Sequence, residues 1–296
     1  MGREHGLIEE FHNNGIIGVA KRLFYYIPNH YVIEKVKKAP FEYGLYQGSK
    51  REKKIIVSLT SYPPRFNNIY MCLKSLLCQS MKPDKIIVWF GSDTEETKLT
   101  EKMRELQRYG IEYRFDQNHN LKPHKKYFYA MQEFPDDIVI TVDDDSVYPP
   151  NTIASLYSSY LRHPNCVSAR RVHKMTFNNG ILDTYDNWKK EYRGERTESS
   201  KLVAVGVGGV LYPPRCLPKE TFDLKAIVDL CLGADDIWLK CMELLKGTKV
   251  VWVPCFFCHP PALGISSSLW QRNVGQNQND YYLQRVVNQY EIDICE

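Results

Sequence analysis

The chain has 296 residues, of which 43% are hydrophobic and 25% are charged, and its formal net charge is +4. These values are ordinary for a globular protein and favour a folded chain over a disordered one, while so small a charge gives no support to nucleic-acid binding. The nine cysteines are odd in number and scattered, which favours reduced, buried thiols over a disulfide scaffold.

The N-terminal region is basic and partly apolar. Residues 15–38 carry five basic side chains against Glu34, and they form either a helix on an anionic membrane surface or a helix packed on the main domain. The sequence contains no apolar run near the ~20 residues that cross a bilayer, and residues 1–14 lack the features of a secretion signal. We therefore expect a cytoplasmic protein, with possible peripheral contact at the inner face of the cell membrane.

From residue 54 onward, apolar runs alternate with amphipathic segments. We predict strands at 54–60, 85–90, 111–115 and 138–142, separated by helices at 66–80, 95–109 and 125–134. This alternation predicts an α/β fold, a mostly parallel sheet flanked by helices. In such folds ligands bind at the carboxyl ends of the strands.

The second half of the chain is less regular. We predict helices at 151–162 and 234–245, a strand at 250–253, a polar mobile loop at 173–200 and a flexible flap at 271–280. We expect three parts: an N-terminal extension (1–50), one large domain (51–262) and a C-terminal flap and tail (263–296). The large domain has a nucleotide half, 51–150, and an acceptor half, 151–262.

The fourth predicted strand ends in three consecutive acids, Asp143, Asp144 and Asp145. Adjacent carboxylates repel one another, and a hard divalent cation such as Mg²⁺ or Mn²⁺ resolves that repulsion while leaving positions open for a diphosphate. The alternative is a solvated acidic turn that caps the helix near Asn151.

A strand followed by this triplet resembles the Asp-x-Asp motif of glycosyltransferases with the GT-A fold, and the run from Ser58 to Arg65 resembles their first strand and nucleotide loop. The resemblance covers about residues 54–260 and points to family-2-like enzymes of bacterial polysaccharide assembly, such as those that build capsule. It implies a GT-A, Rossmann-like domain and a metal-dependent, EC 2.4 transfer from a nucleotide-sugar donor, with a UDP-sugar favoured. The implied acceptor is a saccharide or lipid-linked saccharide.

The same resemblance assigns the nucleotide contacts. Thr60, Ser61 and Tyr62 would line the nucleoside site, Arg65 would approach the phosphates, and Asp93 would accept a hydrogen bond from the base. For Asp93, a turn or helix-capping role is the alternative.

A basic segment lies just before the acidic strand. Lys122 and Lys125 precede a predicted helix, where basic groups suit a diphosphate. The alternative is a solvated basic loop.

Within the triplet, the resemblance places Asp143 near the ribose and Asp145 on a Mn²⁺ or Mg²⁺ ion, and leaves the role of Asp144 open. His259 follows a predicted strand and would be a further metal ligand. A buried, hydrogen-bonded histidine is the alternative for His259.

Transfer to a hydroxyl also needs a base. Asp235 and Asp236 open a predicted helix, and we take Asp236 as the base, with exchange of the two roles left open. The alternative is that both acids only favour the helix N-terminus. Direct displacement would invert the anomeric centre.

Two other functions fit parts of the sequence. Asp143 and the residues after it also match the nucleophile motif of haloacid-dehalogenase-like phosphohydrolases, although that motif normally follows the first strand. The second alternative is a non-catalytic scaffold that retains a nucleotide-binding fold.

Overall fold

The computed structural model describes residues 28–116, 119–255 and 278–294. A seven-stranded sheet has the order β11-β5-β10-β4-β1-β2-β3. Its strands are β1 (Ile55–Thr60), β2 (Lys85–Phe90), β3 (Ile111–Phe115), β4 (Ile138–Thr141), β5 (Val167–Ala169), β10 (Val210–Tyr212) and β11 (Val250–Trp252). Strand β10 is antiparallel to both of its neighbours, and the other pairings in this sheet are parallel. The predicted α/β class is confirmed.

The sheet is buried on both faces, which explains its continuous apolar strands. Successive side chains of a strand point to opposite faces. In β1, Ile55, Val57 and Leu59 therefore join one core while Ile56 joins another. All four side chains are fully buried.

Helices cover the two faces of the sheet. The core that contains Ile55 also holds apolar residues of α2 (Phe66–Leu77), α3 (Glu101–Gln107) and α5 (Thr152–Arg162). The opposite side is covered by α4 (Lys125–Glu133), α6 (Leu224–Cys231), α7 (Asp235–Lys246) and α8 (Gln278–Tyr290). The predicted helix at 95–109 begins later, because Thr100 caps α3 by accepting a hydrogen bond from the Met103 amide.

Residues 28–38 form a helix, α1, that packs on the main domain. Val32 and Val36 are buried with Val147, and Met71 packs against them. For this part of the basic region the packing interpretation is confirmed, while residues 15–27 lie outside the described residues. Within the described part of the chain, no helix has the length and apolar character needed to cross a membrane.

The segment predicted as a polar loop, 173–200, is partly structured, so that prediction was wrong in this respect. It contains most of β6 (Val172–Lys174), which pairs with β9 (Leu202–Ala204), and a hairpin of β7 (Phe177–Asn178) and β8 (Ile181–Leu182). Trp188 is buried in the core. These strands are only two or three residues long, too short for a clear alternating pattern. The predicted flap at 271–280 lies largely outside the described residues, and its last three residues begin α8.

Candidate active site

One cleft of about 640 Å³ lies at the carboxyl edge of the sheet. Its walls come from the segments after β1, β2 and β4, the loop between β9 and β10, and the first turn of α7. Because β10 is antiparallel, its beginning lies at the same edge as the end of β4, with Val210 opposite Thr141. The cleft is lined by every predicted site residue in the described part of the chain, namely Thr60, Ser61, Tyr62, Arg65, Asp93, Lys122, Lys125, Asp143, Asp144, Asp145, Asp235 and Asp236.

His259, the predicted further metal ligand, lies outside the described residues. The described residues therefore test neither the metal-ligand role of His259 nor the alternative of a buried histidine. The described residues contain no group of three or more His, Cys, Asp or Glu side chains placed to hold a metal ion.

Asp144, the middle acid of the triplet, is enclosed by protein. Its carboxylate accepts a hydrogen bond from Ser61 Oγ at 2.5 Å and forms an ion pair with Arg65. Burial raises the pKa of Asp144, and the Arg65 guanidinium and the Ser61 hydroxyl oppose that rise. Arg65 therefore neutralises Asp144 in this structure, and its predicted phosphate contact stays a prediction.

The outer two acids are more accessible. The side chains of Asp143 and Asp145 are 30% and 31% exposed, whereas that of Asp144 is 4% exposed. Burial, together with the charges of Asp143 and Asp144, raises the pKa of Asp145 to about 6. Arg65 Nη1 lies 3.4 Å from Asp145 Oδ2. Burial and the two neighbouring carboxylates thus outweigh the Arg65 guanidinium at Asp145, and a divalent cation would stabilise the ionised form of this side chain.

Asp93 belongs to a small polar network on the wall after β2. It accepts hydrogen bonds from Asn120 Nδ2 at 3.0 Å and from Thr94 Oγ1 at 3.1 Å. The Asn120 side chain in turn accepts from Lys125 Nζ at 3.0 Å. Because Thr100 caps α3, the helix-capping alternative for Asp93 is wrong.

The predicted basic segment divides into exposed and buried positions. Lys122 is exposed and has a left-handed backbone, with a φ of 50°. Lys125 is only 3% exposed, and burial lowers its pKa despite the opposing charges of Asp93 and Asp116. A solvated loop is therefore wrong for Lys125.

Asp235 and Asp236 occupy the first turn of α7, where the N-terminal amides favour negative charge. Both carboxylate oxygens of Asp236 accept from the Gly206 amide, Oδ1 at 3.2 Å and Oδ2 at 3.3 Å. Burial and the neighbouring Asp235 raise the pKa of Asp236 to about 8. Burial would also raise the pKa of Asp235, but Lys126 outweighs it, and the net shift is downward.

Sequence reasoning missed Lys126, which is buried between the two acidic groups. Its Nζ atom lies 2.8 Å from Asp143 Oδ1 and 2.8 Å from Asp235 Oδ2. The four-residue spacing places Lys126 and Ala130 on one face of the predicted helix, but the sequence does not show which charged groups that face meets.

The far side of the cleft also contains residues that the sequence did not single out. They are Arg171, His173, Tyr185 and Asn279. Burial lowers the pKa of His173 to about 4, and its Nδ1 accepts from the Glu191 amide at 3.0 Å. No motif marks these positions, because they come from the short strand β6, from the connections on either side of the short strands, and from α8.

The family model described as "Glycosyl transferase family 2" matches residues 56–210, a segment that runs from β1 to the start of β10 and includes the acidic triplet. The chain belongs to glycosyl transferase family 2. It is a glycosyltransferase, EC 2.4, that transfers a sugar from a nucleotide-sugar donor, so the phosphohydrolase and non-catalytic scaffold alternatives are set aside.

Solved structures support the fold. A mannosyltransferase, PcManGT from Pyrobaculum calidifontis, in complex with GDP-Man and Mn²⁺, matches with a TM-score of 0.52 and 13% identity over 93% of this chain and 74% of its own. GalNAc-T7 with UDP, GalNAc and Mn²⁺ matches with a TM-score of 0.50 and 11% identity over 88% of this chain and 55% of its own. At these identities the likeness shows the GT-A fold alone. The curated proteins contain no significant match.

Proposed function

We propose that this protein is a metal-dependent, inverting glycosyltransferase that moves a sugar from a UDP-sugar to a hydroxyl group of a saccharide acceptor. One observation carries the proposal: the cleft holds an acidic triplet at the end of β4 and, on another wall, the Asp236 carboxylate fixed by the Gly206 amide. The first group suits a donor diphosphate with its cation. The second suits a base for the acceptor.

The nucleotide half of the donor would lie along the walls after β1 and β2. Thr60, Ser61 and Tyr62 line this part of the cleft. The Asp93 carboxylate would accept the N–H of a uracil ring, held in place by Asn120. Lys122 and Lys125 would contact the diphosphate, whose charge suits ammonium groups.

The oxygen donors fit a hard cation, because Asp143 and Asp145 present partly exposed carboxylates to the cleft, and burial and the neighbouring acids disfavour the ionised form of Asp145. Asp145 would hold Mn²⁺ or Mg²⁺, with His259 as a further ligand and Asp143 directed to the ribose. When bound, the cation would supply charge stabilisation for the departing nucleoside diphosphate. Both Mn²⁺-containing structures named above are consistent with this assignment.

The reaction exchanges one C–O bond for another. The acceptor oxygen forms a bond to the anomeric carbon, while the bond from that carbon to the diphosphate oxygen breaks and its electron pair leaves with the nucleotide. Asp236 in its ionised form takes the hydroxyl proton. Because the hydroxyl attacks from the face opposite the leaving group, the anomeric centre inverts.

For the acceptor we propose a saccharide or lipid-linked saccharide of a bacterial polysaccharide or glycolipid, such as capsule, assembled at the cytoplasmic face of a membrane. On α1, Val32 and Val36 face the domain, while Tyr31, Lys35 and Lys38 are exposed on the other side. Exposed lysines beside an aromatic ring suit an anionic lipid surface. Sedimentation with vesicles of phosphatidylglycerol tests this contact; loss of binding in a K35E/K38E variant is the expected result.

The donor assignment is tested by thermal unfolding with UDP, GDP and CMP, each with and without Mn²⁺. A ligand that binds only the folded state raises the unfolding midpoint, by about 2.7 kcal/mol of stability at a hundredfold excess over its Kd. We expect a Mn²⁺-dependent shift with UDP that disappears in Asp145→Ala. A shift with GDP alone would overturn the UDP assignment, and no shift with any nucleotide would overturn the donor site.

The stereochemical assignment needs its own measurement. NMR of the product, made with a UDP-sugar of known anomeric configuration, reports whether the centre inverts. Retention would overturn the role of Asp236 as base. Asp229→Asn, which changes an exposed acid of α6 outside the cleft, is the control and should give a product of the same anomeric configuration as the wild type.

A further inference from the structure

Lys126 joins the two acidic groups of the cleft. Its side chain is 5% exposed, and its Nζ atom is 2.8 Å from both Asp143 Oδ1 and Asp235 Oδ2. Asp143 follows β4 on the donor wall, whereas Asp235 begins α7 on the wall assigned to the acceptor. A single buried ammonium therefore connects the donor site to the base.

Helix stability does not explain this lysine. Lys126 is the second residue of α4, and a cation in the first turn of a helix is unfavourable because the N-terminal amides already carry partial positive charge. Burial of an ammonium adds a desolvation cost that only well-placed partners offset. Burial alone would lower the pKa of Lys126, but Asp143 and Asp235 raise it well above its ordinary value, so it stays charged.

The backbone of Lys126 is fixed by the sheet. Ser58 of β1 donates its hydroxyl to the Lys126 carbonyl at 2.5 Å and accepts from Trp89 Nε1 of β2 at 3.0 Å. The serine is fully buried. Two strands thus set where α4 begins, and with it where the Lys126 side chain enters the cleft.

Gly206 leaves the space that the ammonium occupies. A Cβ atom added at Gly206 would lie 2.6 Å from Lys126 Nζ, closer than real Cβ contacts allow, and 3.0 Å from Asp143 Oδ1, which is a tight contact. The amide of the same glycine donates to Asp236. The loop between β9 and β10 therefore admits Lys126 on one side and holds the base on the other.

The charges that face Asp236 come from three elements. Asp235 and Asp143 raise its pKa, and Lys126 lowers it. Tyr185 and Tyr212 also face it; burial first and Asp236 in part raise their pKa values, so both phenols stay neutral. Among these neighbours Lys126 carries the positive charge.

We infer that Lys126 is a positioning residue of the transfer reaction: it engages Asp235 as its counter-ion and leaves Asp236 as the carboxylate that takes the acceptor proton, at a fixed place relative to Asp143. The inference rests on the proposed function. Lys126 keeps its own proton throughout, and the proton that moves passes from the acceptor hydroxyl to Asp236.

The test is the pH dependence of nucleotide release from UDP-glucose, UDP-galactose and UDP-N-acetylglucosamine in the presence of Mn²⁺, with water as acceptor. In Lys126→Met we expect kcat to fall at least about tenfold, the donor KM to change less, and the acid limb of the profile to move to higher pH. In Asp235→Asn the acid limb should move to lower pH, because a repelling charge is gone. Lys225→Met, at an exposed position on α6, is the matched control.

The double variant K126M/D235N removes both members of the buried pair, so it keeps the test valid if Lys126→Met alone fails to fold. Its acid limb should return toward that of the wild type. If the wild type is active and the Lys126 and Asp235 variants keep the acid limb of its pH profile, this inference is overturned while the proposed function stands. A wild type that releases no nucleotide from any of these donors overturns the proposed function, and the inference falls with it.

Discussion

Asp235 and Asp236 are sequence neighbours in the first turn of α7, yet their pKa values move in opposite directions. Burial acts on both carboxyls, but the nearby Lys126 ammonium lowers the pKa of Asp235, while burial and Asp235 itself raise that of Asp236 to about 8. When the surroundings of two neighbouring carboxyl groups shift their pKa values in opposite directions, the two groups take different roles in acid–base chemistry. Of the pair, Asp236 is the stronger base, and Asp235 is its charged partner.

This divergence predicts the pH profile of the enzyme. A base must be ionised, and a carboxyl with a pKa of about 8 is only about one-tenth ionised at pH 7. We expect kcat/KM for the free enzyme to rise with pH and to level off above an apparent pKa near 8. Asp236→Asn should lower kcat by about 10²–10⁴-fold with little change in donor affinity. An unchanged kcat in this variant would exclude Asp236 as the base.

The same raised pKa predicts a gain in stability when Asp236 is neutralised. Between the ordinary carboxyl pKa and about 8, the folded protein keeps a proton on Asp236 that the unfolded chain has lost. The wild type therefore loses stability as pH rises through this window. We expect Asp236→Asn to have a higher unfolding midpoint than the wild type, by an amount that grows from pH 5 to pH 8.

Thermal unfolding at each pH measures this difference. The exposed Asp229 of α6 provides the control, because Asp229→Asn removes a carboxyl group outside the cleft. A midpoint difference for Asp236→Asn that stays constant with pH would contradict a raised pKa at this position.

Asp93 predicts how the enzyme distinguishes pyrimidines. A carboxylate accepts the ring N–H of uracil, whereas cytosine presents a lone pair at the same position. Asp93→Ala should therefore weaken UDP binding by about tenfold, in line with a hydrogen bond to a charged group, and should change CDP binding much less. Calorimetric titration in Mn²⁺ gives both affinities. Glu95→Ala, two residues away and exposed, is the control, and equal losses for UDP and CDP would contradict base recognition by Asp93.

Much of the nucleotide half was predictable from sequence, because parallel strands covered on both faces read as continuous apolar runs. The predicted strands at 85–90 and 111–115 match β2 and β3. The acidic triplet was also predictable, since carboxylates at the end of a buried strand have few structural uses.

What the sequence could not predict depends on contacts between distant segments. The Arg65–Asp144 pair joins residues 79 positions apart, and no local pattern reveals it. Lys125 and Lys126 are adjacent in sequence, but only the tertiary fold, which brings the first turn of α7 to the start of α4, directs Lys126 to Asp235. The strands β6 to β9 are too short to give a periodic signal, and two of them, β6 and β9, contribute His173 and Val203 to the cleft.

The buried Arg65–Asp144 pair predicts a large cost of breaking it. The two side chains are 10% and 4% exposed, so removal of either partner leaves a buried charge without compensation. Arg65→Met should lower the free energy of unfolding by about 3–5 kcal/mol. The double variant Arg65→Met/Asp144→Asn should recover most of that loss, because neither charge remains.

A second pair of the same chemistry supplies the control. Arg215 Nε lies 2.7 Å from Asp136 Oδ1, but the side chains are 69% and 73% exposed. Water screens such a pair, so Arg215→Met should leave the free energy of unfolding close to that of the wild type. Urea denaturation of the four proteins measures all these values. If Arg65→Met proved as mild as Arg215→Met, the enclosure of Asp144 would be wrong, and Asp144 would be open to the nucleotide or the cation.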